Sequence, residues 1–221
     1  MNILNAIFPA KCILCDELFV YKTQNLFCEK CLNQIKKEDL KYCHSCGKKT
    51  ENCQECFKQR KFDDIQVFRS KDKAITEIIY QLKINGYRNL APQLAEIIKE
   101  DITTYTKTNK IDIITYVPVD KETLKEREFN HLEEILKCTF PKYLIVPLVE
   151  KVRKTPLQME LTAEERWKNL KGVFRLKNHD IKDKNILIFD DILTTGATML
   201  NMYKTIKKGR PKKIYGYVIA R

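Results

Sequence analysis

Eight of the nine cysteines in this chain lie between residues 12 and 56, as four C-x-x-C pairs: Cys12/Cys15, Cys28/Cys31, Cys43/Cys46 and Cys53/Cys56. A C-x-x-C sets two sulfurs on one tight turn, and two such turns complete a tetrahedron around a single ion. Disulfides need an oxidising compartment, and the opening MNILNAIFPAKC has neither the basic flank nor the long apolar stretch of an export signal. A thioredoxin-like redox pair accounts for one C-x-x-C but not for four. The pattern therefore predicts two structural Zn2+ sites. Sequential grouping puts Cys12, Cys15, Cys28 and Cys31 on one ion and Cys43, Cys46, Cys53 and Cys56 on the other; spacing alone leaves a crossed grouping open. Closed four-thiolate sites offer water no open position, so the metal is expected to hold the fold and not to hydrolyse a substrate. It compensates for a segment with few large apolar residues.

At 221 residues the chain has room for one domain of ordinary size plus a small appendage. The division is expected near residue 60, with a double zinc ribbon in 1–60 and a second domain in 61–221. No run approaches the ~20 apolar residues of a membrane helix, so a cytoplasmic protein without membrane insertion is expected. The formal net charge is +12. With eight thiolates and two dications the first 60 residues fall near −1, and the positive field belongs to residues 61–221, with 31 Lys+Arg against 22 Asp+Glu. Such a balance suits polyanions: nucleic acid, phosphorylated ligands or an acidic membrane surface.

Residues 62–68 read as a strand. Residues 73–84 carry apolar side chains at 75, 78, 79 and 82, a helical stripe. A second helix is predicted over 89–100, a polar loop over 101–110 and a strand over 112–119. One helix is predicted over 121–138, with Leu124, Phe129, Leu132, Ile135 and Leu136 turned inward and Cys138 as a small core residue. Residues 143–149 suit a strand interrupted by Pro147, residues 151–170 a charged loop, and 172–176 a short strand. The continuous apolar run of 185–192 fits a strand buried on both faces. A helix beginning at 194 and a strand over 212–221 complete the chain. Strands alternating with helices predict an α/β fold built on a parallel sheet.

The most informative stretch is 186–198: four apolar residues, Asp190 and Asp191, two apolar residues, then Thr194, Thr195, Gly196, Ala197 and Thr198. In a parallel sheet, ligands sit beyond the carboxyl ends of the strands. Two adjacent carboxylates repel unless something cationic or donating stands between them. A ribose diol supplies two donors, and Mg2+ adds charge. The TTGAT turn offers backbone N–H groups and hydroxyls at a helix N-terminus, a cradle for phosphate. The spacing thus fits a ribose on Asp190 and Asp191 with its 5′-phosphate in 194–198.

This stretch resembles the motif with which type I phosphoribosyltransferases bind 5-phosphoribosyl 1-pyrophosphate (PRPP), and the match is complete over its thirteen residues. Four C-x-x-C pairs ahead of such a domain are similar to the ComF (ComFC) family of bacterial competence proteins. Further matches are YQLKINGYRNLA (80–91), VPV (117–119), KEREFN (125–130) and 153–174. Where the family usually reads R-G-F-N-Q, this chain has Arg127, Glu128, Phe129, Asn130 and His131. The resemblance implies a PRPP-binding fold with Mg2+ accompanying the ligand. It places Val119, Asp120, Lys125 and Arg127 toward the pyrophosphate, and Arg153, Gln158 and Arg166 in a flexible hood loop. It also implies the handling of incoming single-stranded DNA during natural transformation.

Three functions stay open on the sequence. One is a PRPP-binding, DNA-handling protein, in which aromatics such as Tyr42, Phe57, Phe62 and Trp167 stack on bases. The second is an active phosphoribosyltransferase, for which no acceptor-recognition motif is identifiable. The third is a zinc-ribbon adaptor for a protein partner such as a helicase.

Overall fold

The computed structural model describes residues 10–19, 27–36, 38, 62–153, 155 and 172–221. Cys43, Cys46, Cys53 and Cys56, the aromatics Tyr42, Phe57 and Trp167, and the hood residues Gln158 and Arg166 lie outside the described residues. Two short antiparallel strands, β1 (Ala10–Lys11) and β2 (Leu18–Phe19), flank the first C-x-x-C, and α1 (Glu29–Gln34) carries Cys31. The α/β body follows in the order β3 (Asp64–Arg69), α2 (Lys73–Lys83), α3 (Leu90–Thr108), β4 (Ile113–Tyr116), α4 (Lys121–Arg127) and α5 (His131–Thr139). After a 3-10 turn at Lys142–Leu144 come β5 (Val149–Lys151), β6 (Phe174–Leu176), β7 (Asn185–Ile192), α6 (Ala197–Lys207) and β8 (Lys213–Ala220).

The four long strands form one parallel sheet in the order β3-β8-β7-β4. Side chains alternate across a strand, and both faces of this sheet are apolar. Leu187, Phe189, Tyr215, Tyr217 and Ile219 face α2, α3 and α5, whereas Ile186, Ile188, Ile214 and Val218 face α6 and the antiparallel β5–β6 ribbon. Each such fully buried aliphatic side chain contributes about 1.5–3 kcal/mol. α6 lies so close to β8 that a Cβ on Gly216 would stand 2.9 Å from Met199 Cε and 3.1 Å from Ile65 Cγ1. Among the described residues, no helix is long and apolar enough to cross a membrane.

The cysteine segment is built into this body. Cys12, Phe27, Cys28, Cys31 and Ile35 belong to the same apolar cluster as Phe68 of β3 and Ile75 of α2. Beside it, the Arg69 guanidinium, with a side chain 7% exposed, donates to the carbonyls of Gln34 (3.3 Å) and Lys36 (3.4 Å). It also pairs with Glu38 and with Asp72, the N-cap of α2. Glu38 N–H donates to the Phe68 carbonyl at 3.0 Å, closing the junction.

Several sequence expectations change. The stretch 101–110 is helical through Thr108 and is not a loop. Ile102 and Tyr105 continue the buried stripe of Ile98, and Thr103 and Thr106 return their hydroxyls to the helix's own carbonyls of Lys99 and Ile102, both at 2.7 Å. The single helix expected over 121–138 is two, broken at Glu128. That residue takes a left-handed φ of 64° while its N–H closes α4 on the Leu124 carbonyl. Asn130 then caps α5, accepting from Leu132 N–H at 2.9 Å. Leu124 and Cys138 consequently lie exposed and outside the core. The strand expected at 143–149 shrinks to one parallel bridge between Ile145 and Ile114, because Pro147 has no N–H to continue a ladder. Phe62 is buried against the Tyr203 ring at 5.1 Å, where no base can reach it.

Candidate functional site

The Sγ atoms of Cys12, Cys15, Cys28 and Cys31 all lie within 4.8 Å of one another, with Cys15 and Cys28 at 3.7 Å. Zn–S bonds of about 2.3 Å in a tetrahedron separate the sulfurs by about 3.8 Å, so the cluster fits Zn2+. Burial pushes the Cys12 thiol up, but N–H donors from Cys28, Cys15 and Leu14 outweigh it and bring the thiol to about 7. The turn is thereby prepared for a thiolate. These four cysteines are the first set of the sequential grouping.

At the carboxyl end of β7, Asp190 and Asp191 are both buried. The Lys83 ammonium, at the last residue of α2, donates to Asp191 Oδ2 at 2.7 Å, and His131 Nε2, at the first residue of α5, stands 2.9 Å from the same oxygen. The protein itself thus supplies the cation and the donor that the sequence assigned to a ligand. Burial alone raises a carboxyl, but Lys83 and His131 reverse this and hold Asp191 well below the usual carboxylate range. Burial and the neighbouring Asp191 charge instead push Asp190 well above it, so Asp190 is the first of the pair to take a proton. Burial outweighs the pull of Asp191 on His131 and lowers its pKa. Because the Asp191 carboxylate can only accept, the contact requires the imidazole proton on Nε2. Burial opposes the Lys83 charge, yet Asp191 outweighs it and Lys83 stays an ammonium.

Two further cations lie near Lys83. Arg127, at the end of α4, lies near enough that its charge acts on Lys83, His131 and Lys151. Lys151 Nζ meets Asp120 Oδ2 at 3.3 Å. Asp120 also caps α4, accepting from Thr123 N–H at 3.0 Å. A cavity of about 280 Å³ opens beside these groups, lined in part by Asp120, Lys121, Lys151, Arg153 and Arg175. Val119 is half-buried next to Asp120 in the chain, whereas Lys125 is exposed on α4 and, among the described residues, makes no ion pair. Asn130 Nδ2 donates to the Val117 carbonyl at 3.0 Å, pinning the α4–α5 break to the end of β4.

Beyond the aspartates, residues 194–196 turn the chain into α6. Gly196 holds a φ of 73°, and a Cβ there would meet only Leu193 Cδ1 at 3.8 Å. The glycine is required for conformation and not for space. It places no side chain over the helix start, and Thr195 Oγ1 is a long 3.4 Å acceptor for Ala197 N–H. The first-turn N–H groups of α6 and the positive end of its dipole therefore face the space beyond the aspartates. Thr194 is exposed there, Thr195 and Thr198 are half-buried, and Ala197 is buried beneath them.

Lys83, His131 and Lys151 are the site residues that reasoning from the sequence missed. Lys83 sits within the 80–91 block and His131 at the position where the family has glutamine, so position marked both while chemistry did not.

Two domain families match the chain: the double zinc ribbon domain over residues 3–60 and the phosphoribosyl transferase domain over residues 129–221. Competence protein F of Haemophilus influenzae is 25% identical over 229 residues, covering 97% of this chain and 98% of that protein. Competence protein ComFC of Bacillus subtilis is 24% identical over 241 residues, covering 95% and 94%. The DNA utilization protein YhgH of Escherichia coli is 24% identical over 157 residues, covering 66% and 67%. Among solved structures, a hypoxanthine phosphoribosyltransferase from Staphylococcus aureus aligns over 57% of this chain and 61% of its own, at 16% identity and a TM-score of 0.34. With a four-cysteine cluster ahead of a parallel-sheet body, and with both domain families matched in that order, the chain is similar from end to end to the ComF competence proteins.

Proposed function

We propose that the chain binds PRPP or a related phosphosugar at the carboxyl end of β7 and takes part in handling single-stranded DNA during its uptake. One observation carries the first half. A buried acidic pair, with the Lys83 ammonium on Asp191, stands directly before a helix start whose N-cap is the left-handed Gly196, and Arg127 lies close enough for its charge to act on Lys83. In this reading Asp190, which pairs with no cation among the described residues, receives the ribose hydroxyls, while Asp191 is held in place by Lys83 and His131. Thr194, Thr195, Gly196, Ala197 and Thr198 hold the 5′-phosphate. Val119, Asp120, Lys125, Arg127 and Lys151 flank the diphosphate. Mg2+ arrives with that diphosphate, since Asp191 already has an ammonium as its counter-ion.

The names of the relatives, competence protein and DNA utilization protein, support the second half. Calorimetric titration of the full chain with PRPP, with and without Mg2+, tests the ligand. Saturable one-to-one binding supports the reading, and absence of heat at millimolar ligand contradicts it. Pyrophosphate release on adding nucleobases would extend the reading to transfer chemistry.

A further inference from the structure

Most of the net positive charge of residues 61–221 is carried by three segments at the end of the sheet opposite the aspartates. Three segments lead into the amino ends of strands: 107–112 into β4, 177–184 into β7 and 207–213 into β8. Together they hold ten Lys+Arg against three Asp, which is seven of the nine net charges of residues 61–221. Nine of the ten cations are exposed. Among the described residues, none of the ten forms an ion pair.

The segments form one surface because their backbones are knitted together. Lys212 N–H donates to the Lys184 carbonyl at 2.9 Å and Asp183 N–H to the Arg210 carbonyl at 3.2 Å. Asn185 Nδ2 donates to the Lys110 carbonyl at 2.9 Å. Two of the carboxylates are turned to local backbone: Asp112 accepts from Asn185 N–H at 2.8 Å and Asp180 from Lys182 N–H at 3.2 Å. Lys110 and Arg210 hold left-handed φ values of 50° and 56°, where glycine is the easier residue. The chain keeps long cations at two turns whose geometry disfavours them. The three segments contain no Phe, Tyr or Trp. The surface therefore offers charge without a stacking platform for bases and without apolar side chains to enter a bilayer.

We propose that this end of the sheet docks nucleic acid, gripping the phosphate backbone without reading bases. β7 separates it from the phosphosugar site by about 23 Å, the length of an eight-residue strand. The two ligands then bind independently. This inference rests on the DNA half of the proposed function and assigns a surface to it.

The test is fluorescence anisotropy of the full chain with a labelled oligothymidylate and with a duplex, across about 50–200 mM salt, where counterion release governs affinity. The variant Lys184→Gln/Arg210→Gln/Lys212→Gln/Lys213→Gln is compared with a control of equal charge change, Lys71→Gln/Lys73→Gln/Lys99→Gln/Lys142→Gln. The first should weaken binding at least about tenfold and flatten the single-strand salt slope by about 0.7 for each phosphate it no longer neutralises. The control should change little, and saturating PRPP should leave oligonucleotide affinity unchanged. Equal losses in both variants, no loss in the first, or tighter binding to anionic vesicles than to either oligonucleotide overturns the surface. Failure of the wild-type chain to bind any oligonucleotide overturns DNA handling itself, and PRPP titration of the same samples reports the phosphosugar site separately.

Discussion

The Lys83 ammonium lies 2.7 Å from Asp191 Oδ2, across 108 residues of sequence. It joins the end of α2 to the end of β7 and fixes which of the two adjacent carboxylates is permanently charged. Lys83→Met leaves Asp191 buried without its ion. Breaking a buried pair costs about 3–5 kcal/mol, but the Lys83 side chain is 39% exposed and solvent takes up part of the loss, so about 1–3 kcal/mol is expected. Denaturant melts measure it. His131→Gln, which keeps an N–H donor and matches the family's residue, should stay within about 1 kcal/mol of the wild type, whereas His131→Ala should not.

Asp190 sets a conflict between stability and binding. Its pKa is higher folded than unfolded, so the folded chain holds more protons than the unfolded one above the ordinary aspartate range. Its contribution to stability is present below that range and is lost as pH rises through the folded value. Asp190→Asn removes the buried charge and should raise the melting temperature at neutral pH while weakening PRPP binding. A variant that melts lower than the wild type at pH 7 would contradict this assignment of the proton.

Glu128 stands left-handed at the α4–α5 break, where the family's usual residue is glycine. A left-handed conformation costs a side-chain-bearing residue roughly 1–2 kcal/mol, and glycine returns some of that as chain entropy. Glu128→Gly should therefore stabilise the fold by up to about 1 kcal/mol. It also removes a carboxylate next to Arg127 and should tighten PRPP binding. Paired melts and titrations check both effects.

The first zinc site shares its apolar cluster with β3 and α2 and is tied to them through Arg69. Cys12→Ser should release one zinc equivalent and lower the melting temperature of the entire chain, not of a separate early transition. Arg69→Met should do the latter while keeping the metal. Metal content by atomic emission, read beside calorimetric melts, distinguishes the two effects.

Much of this architecture is legible in the residues. β7 shows itself because a strand covered on both faces must be apolar throughout, and the TTGAT turn because hydroxyl-bearing and small residues follow that strand at the start of a helix. The zinc quartet is legible because thiolate spacing is a local property. The reach of α3 to Thr108 was hidden, since four threonines and a lysine mask an apolar stripe carried by Ile102 and Tyr105 alone. The break at Glu128 was hidden because an exposed glutamate takes the left-handed cap that closes α4 on the Leu124 carbonyl, a position ordinarily marked by glycine. Lys83 and His131 were not legible as site residues, because their roles depend on two helices meeting one strand end across long sequence separations. The basic end of the sheet was visible only as net charge until the topology brought three separated segments together.

The most direct measurement is calorimetric titration of the full chain and of Asp190→Asn/Asp191→Asn with PRPP in Mg2+. Saturable binding is expected for the wild type and none for the folded, zinc-loaded variant. Equal affinity in the two proteins would contradict it.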